Sequence, residues 1–279
     1  MHHLEAPPAH LLFRRRIDLL AAARRCWDAR EIIATLAQRD FIARYKQAAL
    51  GVLWAFFTPL ALMLVFGLVF TRVADVDTGG APYVLFLYLG LLPWTFFSSS
   101  VSSGGLSLVS NSQLLNRTLF PREVFPLASV VVAAVDMAIA ATALVVLFAA
   151  TGTAPEATSV WVPLLLVLQL SIAAAVALAV SVVVVYLRDL RHAIPVLLQL
   201  GLLATPIAYG LDDLPDGLRL PYCAVNPIAS VIDGYRRTVL LGENPAWDVL
   251  GVGAASACLM LVGGYYLFKR LEGRLADVA

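Results

Sequence analysis

Charge is scarce in this chain. Of its 279 residues only 14% are charged while 60% are hydrophobic, where a soluble domain carries about a quarter charged residues. That shortfall argues against an ordinary soluble globule and for a bilayer protein. Lysine is nearly missing, with only Lys46 after Tyr45 and Lys269 after Phe268. A nucleotide-binding P-loop needs Gly-Lys-Ser/Thr, its lysine on the β/γ-phosphates, so this polypeptide carries no ATPase site of that kind. The three cysteines, Cys26, Cys223 and Cys258, are far apart, odd in number and form no CxxC pair. They argue against a disulfide framework or a zinc site and read as small buried hydrophobes. Histidine is confined to His2, His3, His10 and His192, with no HExxH or His/Asp cluster, so no metal site is expected. A net charge of +1 gives no reason to expect a nucleic-acid partner.

Long apolar runs are what the chain has in abundance. A hydrocarbon core of about 30 Å takes about 20 apolar residues as helix, and six candidate spans fit, at roughly 51–71, 83–104, 124–149, 161–186, 193–209 and 249–268. The fifth is short, and an irregular apolar stretch follows it. Lipid offers backbone groups no partner, so the spans are expected to be helices. The fold class is therefore all-α and integral to the membrane. Residues 1–27 read as a polar leader and 47–279 as the six-span domain, with no room for a second, soluble domain. The first long apolar run begins near Gly51, which is late for a cleaved signal peptide. With six spans, the leader, the 105–123 loop, the 187–192 turn and the tail share one side, which holds sixteen Lys and Arg against four on the other. The positive-inside rule then puts both termini in the cytoplasm.

The segment 39–59, RDFIARYKQAALGVLWAFFTP, passes abruptly from cationic to apolar. Residues 28–46 read as an amphipathic helix on the inner membrane surface, with Ile32, Ile33, Leu36 and Phe41 toward acyl chains and Arg30, Arg39 and Arg44 toward anionic headgroups. A plain basic flank is the other reading. In the 105–123 loop, Ser110 or Asn111 can cap a short helix that Phe120-Pro121 would stop. Such a helix suits a groove on a partner protein, and a simple loop is the alternative. Residues 199–248 are broken by Pro206, Pro215, Pro221, Pro227 and Pro245 yet keep apolar patches, a pattern that fits either a re-entrant helix pair or a loop on the headgroups.

Asp136 is the one acid clearly inside a span. An ionised Asp at mid-helix costs about 2.5–3.5 kcal/mol, so it is expected to face water or another helix. An inter-helix hydrogen bond is the reading preferred over a proton-coupling role, because no second intramembrane acid or base is there to relay to. Arg188-Asp189 follows Tyr186 at the end of the fourth span, either as an anchor or as a charged ring at a pore entrance. Trp54 with Phe57 and Trp94 with Phe97 lie one helical turn apart. They read as interfacial belts or as sugar-stacking platforms along a conduit.

The order of RDFIARYKQAALG-x-LW-x₄-P (39–59), LPW-x-FFS (92–98), NSQLLNRTLFPREVFP (111–126), YLRDL (186–190), TPIAY (205–209) and NPI (226–228) resembles the membrane-spanning permease subunit of ABC transporters that export bacterial polysaccharides. O-antigen, capsule, teichoic acid and cell-wall galactan exporters belong to that family. The resemblance covers about residues 28–275, and it is the order and spacing of the motifs together that make it specific.

The resemblance implies a non-enzymatic, multi-pass inner-membrane permease that pairs with a second copy of itself and with two copies of a P-loop ATPase. ATP and Mg would then sit on the ATPase chains, with no cofactor on this one. The implied cargo is a polysaccharide on a polyprenyl-diphosphate lipid. It makes 28–46 an interface helix with Arg30, Arg39, Asp40, Arg44, Tyr45 and Lys46. It makes 110–120 a coupling helix with Asn111, Gln113, Leu114, Leu115, Asn116 and Arg117. Arg188 and Asp189 would belong to a cytoplasmic gate, and Pro206, Tyr209, Asn226 and Pro227 to an outer gate built on re-entrant helices in 210–245. Trp54, Phe57, Trp94 and Phe97 would line the channel.

Three rivals remain at this level. A secondary transporter would have only Asp136 for coupling. A membrane enzyme would have Asp212, Asp213 and Asp216 without accompanying histidines. An ABC exporter of drugs or small lipids would share the fold.

Overall fold

The computed structural model describes residues 19–46, 50–73, 78–115 and 121–272, and among them there is no strand. Eleven helices follow in chain order: α1 (Leu19–Asp28), α2 (Arg30–Tyr45), α3 (Trp54–Val73), α4 (Tyr83–Ser110), α5 (Ser112–Leu115), α6 (Val124–Thr151), α7 (Val162–Tyr186), α8 (Leu190–Ala204), α9 (Asp216–Val225), α10 (Pro227–Val239) and α11 (Trp247–Glu272).

Among the described residues, five stretches are long and apolar enough to cross a membrane: Gly51–Val69, Tyr83–Ser110, Val124–Thr151, Ala157–Tyr186 and Trp247–Glu272. These correspond to the expected first, second, third, fourth and sixth spans. The expected fifth span is a shorter apolar helix, α8. Its 15 residues reach only about 22 Å. Pro206 explains the early stop: the residue before a proline is pushed out of the helical region, and Thr205 is extended at ψ 140°. The second span runs on to Ser110, six residues into the segment expected to be loop.

α4 is the axis of the bundle. A helix that is apolar all round must be covered all round, and Leu85, Leu87, Tyr88 and Leu91 are each 0% exposed. α6 and α7 pack along α4, α3 sits against α4 and α6, and α8 against α4 and α7. The Tyr88 hydroxyl donates to the Ala140 carbonyl at 2.8 Å, which satisfies both groups deep in the core. Small residues let the helices approach closely; a Cβ on Gly104 would lie 2.9 Å from the Ala177 Cβ. α11 covers the other side of α7, and α10 fits between α4, α7 and α11. The break between α9 and α10 falls at Asn226, with Pro227 opening α10, where its missing N–H costs nothing.

The amphipathic segment is helical as expected, divided at Ala29. Its apolar side meets protein rather than open lipid. Ile32, Ile33 and Leu36 pack around Leu108, Val124, Phe125 and Phe268, and Phe41 and Ala37 pack around Ala128 and Val132. α2 therefore climbs alongside α6 instead of resting only on headgroups. The apolar stripe that predicts lipid contact serves equally well as a packing face.

Candidate functional site

At the top of its climb α2 delivers two polar side chains to Asp136. Arg44 is ion-paired with the Asp136 carboxylate, and the Tyr45 hydroxyl donates to Asp136 Oδ1 at 2.8 Å. Arg44 Nη2 also donates to Ser103 Oγ on α4 at 3.3 Å. The expected inter-helix partner of Asp136 is thus on α2. These groups border a cavity of about 280 Å³ at the start of α3, lined also by Trp54, Thr58, Thr95 and Ser99. It combines an aromatic face, hydroxyls and a paired charge, chemistry suited to a polar headgroup or a sugar ring.

Lower on α2, Arg39 Nη2 donates to Asn111 Oδ1 at 2.9 Å, and Asn111 Nδ2 donates to the Ser107 carbonyl at 2.9 Å. α2 is thereby tied to the start of the expected coupling segment, a pairing 72 residues apart that spacing alone does not reveal. Asp40 lies 2.7 Å from Arg39, Arg30 donates to the Trp27 carbonyl at 3.3 Å, and Lys46 is exposed. Gln113 and Leu114 are exposed on α5, which also includes Leu115. Asn116 and Arg117 lie outside the described residues.

The other end of the 105–123 segment is anchored by a buried pair. Glu123 is 0% exposed and lies 2.7 Å from Lys269 Nζ on α11, with the Tyr265 hydroxyl donating to it at 3.2 Å. Lys269 also pairs with Glu272 at 2.8 Å, and Arg122 donates to the Glu272 carbonyl at 2.6 Å. The Tyr186 hydroxyl, at the end of α7, donates to the Leu271 carbonyl at 2.8 Å. So the last turn of α11 joins the 105–123 segment to the turn that carries Arg188 and Asp189, both exposed. Sequence reasoning missed this hub. The signal available was that one of only two lysines closes an apolar span, where the positive-inside rule already accounts for it.

At the opposite end, the four expected outer-gate residues do come together, organised by a residue not anticipated. Arg236, 3% exposed, donates from Nε to the Phe86 carbonyl at 3.1 Å and from Nη1 to the carbonyls of Pro206 at 2.9 Å and Tyr209 at 3.0 Å. Nη2 donates to the Ile207 carbonyl. Its guanidinium lies 3.5 Å over the Phe86 ring. One planar fork thus satisfies the backbone freed where α8 breaks. Asn226 Nδ2 donates to Thr205 Oγ1 at 2.9 Å, and the Tyr209 hydroxyl donates to the Ala204 carbonyl at 2.9 Å, closing the α8 end onto the α9–α10 break at Pro227. The acids weighed for an enzyme are engaged elsewhere. Asp212 pairs with Arg219 at 3.0 Å and Arg237 at 2.8 Å, Asp216 pairs with Arg219 at 3.1 Å, and Asp213 accepts from the Gly210 N–H at 2.8 Å.

The aromatic pairs differ from each other. Trp54 and Phe57, ring centroids 5.9 Å apart, are both half exposed. Trp94 is 5% exposed and packs on α8 so closely that a Cβ on Gly201 would lie 2.8 Å from it. Trp94 is therefore packed into the core of this chain. Its neighbour Phe97, 5.6 Å away, is partly buried. Among the described residues no cluster of three or more His, Cys, Asp and Glu could hold a metal.

Comparison with known proteins then decides the family. The profile of the ABC-2 type transporter matches residues 31–240. The chain belongs to the ABC-2 type transporter family. It is 30% identical over 260 residues to the O-antigen export system permease protein RfbA of Myxococcus xanthus, covering 93% of this chain and 99% of that one. A Klebsiella pneumoniae protein of the same name is 27% identical over 249 residues, covering 89% and 95%. The ABC-2 match begins one residue into α2 and ends just after α10. It therefore takes in the α2–Asp136 contact, the coupling segment and the Arg236 fork.

Proposed function

We propose that the chain is the permease half of an ABC exporter that moves lipid-linked polysaccharide across the bacterial inner membrane. The observation that carries this reading is similarity over nearly the whole length of two chains named as O-antigen export permeases. A second support is that this sequence lacks a P-loop, which fits energy supplied by an ATPase partner holding ATP and Mg.

In this reading two copies pair, and two ATPase chains dock on them. Faces available for pairing include α3, where Trp54, Phe57, Leu64 and Leu68 are exposed, and α8, where Leu197, Leu200 and Leu203 are. α8 counts as a short fifth span, giving six per copy with both termini cytoplasmic, and α9 and α10 form the re-entrant pair. The coupling segment, from Asn111 through Asn116 and Arg117, receives the ATPase motion. Arg39–Asn111 passes it to α2, and Glu123–Lys269 passes it to α11 and the Arg188–Asp189 turn. Moving α2 tugs α6 through Arg44–Asp136. The cargo then enters from the side, and Trp54 and Phe57 offer it faces that hold sugars weakly enough to release them. The permease makes and breaks no covalent bond.

Co-purification tests the reading. The tagged chain is expected to bring down a stoichiometric P-loop ATPase whose hydrolysis changes on adding lipid-linked glycan. A chain that purifies alone, even after cross-linking, overturns it. Substituting Asn116 and Arg117 together is expected to leave hydrolysis intact while export falls.

A further inference from the structure

α6 and α7 share α4 as a common backing yet part company toward their ends nearer Gly152 and Trp161. The wedge between them holds a cavity of about 600 Å³, within the range of small-molecule sites. Leu89, Leu92, Leu144, Phe148, Leu166 and Val239 are among its walls. Its floor is closed by Gln169, whose Nε2 contacts Met137 Sδ at 3.1 Å and whose Oε1 accepts from the Tyr235 hydroxyl at 2.9 Å. These floor groups partner one another, so the interior presents hydrocarbon. On the open side, Ala138 and Val145 are exposed. No residue of α3 or α8 lines the cavity, so pairing through those two faces, as proposed above, leaves it open to the bilayer.

Depth and chemistry restrict the occupant. Trp161 and Trp247 meet edge to face at 4.9 Å, and Trp161 Nε1 donates to Asn244 Oδ1 at 3.1 Å. Such a tryptophan pair marks the level of the headgroups. Ser159 sits two residues before Trp161. From Val162 down to Gln169 the cavity descends about 10 Å, within a single leaflet. Water has too few polar partners there, and an empty space would forfeit dispersion contacts along every wall. At the rim, Ser159 Oγ is buried and has no hydrogen-bond partner, although it lines the cavity. A buried hydroxyl calls for an acceptor.

We infer that this crevice is a binding site for one acyl chain of a phospholipid in the leaflet on the Trp161 and Trp247 side, with the Ser159 hydroxyl donating to the ester carbonyl at the head of that chain. The ester decides the source of the hydrocarbon. A phospholipid carries a carbonyl at the start of each acyl chain, at the depth where Ser159 waits. A polyprenyl phosphate offers only hydrocarbon there.

The test is lipid retention by the purified full-length chain with its natural partners, read by native mass spectrometry with identification of the bound lipid. The wild type is expected to hold one phospholipid per chain after extended detergent exchange. Val145→Trp, which plugs the mouth from a position 71% exposed, and Ala141→Phe, which fills the interior, are each expected to reduce occupancy at least tenfold. Ser159→Ala is expected to weaken it about fivefold, the effect of roughly one ordinary hydrogen bond. Leu164→Phe, on the lipid-facing side of α7 outside the cavity, is expected to change nothing. Because Val145 packs on little, its variant keeps the test decisive even if Ala141→Phe does not fold. Undiminished phospholipid in Val145→Trp overturns the inference. So does finding a polyprenyl lipid in its place, or finding no lipid bound to the wild type.

Discussion

Arg44, in the last turn of α2, is ion-paired with Asp136 near the middle of α6. This contact joins α2 to a helix long and apolar enough to cross the bilayer, and it gives an otherwise costly buried acid a partner. Removing one partner strands the other, which for a buried pair costs about 3–5 kcal/mol. Here the Arg44 side chain is 34% exposed, so a smaller loss is expected. Arg44→Ala is expected to lower thermal stability by about 1–2 kcal/mol and to reduce export. Asp136→Asn still accepts from Tyr45 and is expected to lose about 0.6 kcal/mol, the average for a side-chain hydrogen bond in a membrane. The double variant is expected to be more stable than Arg44→Ala alone. Unfolding of the reconstituted protein measures all three, and additive losses would show that the two residues do not interact.

Glu123 and Lys269 form the most enclosed ion pair among the described residues, at 1% and 13% side-chain exposure. Glu123→Ala leaves the Lys269 ammonium with Glu272 alone, so the expected cost lies below the roughly 3–5 kcal/mol of a fully stranded buried charge. Lys269→Met fits the same space without a charge and leaves Glu123 with only Tyr265. Exchanging the two residues, Glu123→Lys with Lys269→Glu, is expected to recover part of both stability and export. The diagnostic measurement is the ratio of transported glycan to ATP hydrolysed. A transmission role lowers that ratio in the single variants at temperatures where they stay folded. A purely structural role leaves the ratio unchanged.

The helices were legible because apolar runs near 20 residues have few other uses, and five of the six expected spans coincide with helices long and apolar enough to cross a membrane. The sixth-span count turns on α8, where Pro206 ends the helix before hydropathy does. Polar contacts were legible only where they were costly. Asp136 announces itself as an acid in lipid, and its expected inter-helix bond is there. Arg236 did not, because it belongs to a Tyr-Arg-Arg run that reads as surface. Its neighbour Arg237 does pair with exposed acids Asp212 and Glu243, yet 100° of helix rotation turns Arg236 into the core. Trp94 and Trp54 are alike in sequence, each with a phenylalanine three residues on. Only packing on Gly201 separates a core residue from an exposed one.

Arg236 and Gly90 impose a mutual constraint. A Cβ on Gly90 would lie 2.6 Å from Arg236 Nη2 and 3.2 Å from the Ile207 carbonyl oxygen. The arginine is itself held by four carbonyls and cannot retreat. Gly90→Ala is expected to cost about 1–3 kcal/mol, as overpacking does, and to loosen the 205–209 turn. Arg236→Lys keeps the charge but cannot serve four carbonyls with a fork, and it is expected to be as damaging to export as Gly90→Ala. Protease cutting in 205–215 of the reconstituted protein should rise in both variants. Wild-type protection in Arg236→Lys would show that the fork does not hold this turn.

Cys26 reports on the Glu123–Lys269 hub from outside the spans. Burial, and then the nearby Glu123 carboxylate, push its thiol up to about 11, partly offset by Lys269. The thiolate is the reactive form, so at neutral pH Cys26 is expected to react with maleimide far more slowly than an ordinary cysteine. Its rate should climb roughly tenfold per pH unit past pH 8.5, where a normal thiol levels off. Glu123→Gln removes a charge that disfavours the thiolate, so the thiol should titrate lower and label faster at fixed pH. Lys269→Met removes a charge that favours it, and labelling should slow. Stopped-time labelling in a Cys223→Ser, Cys258→Ser background measures these rates. The opposite order in the two variants would mean that α1 does not lie beside the pair.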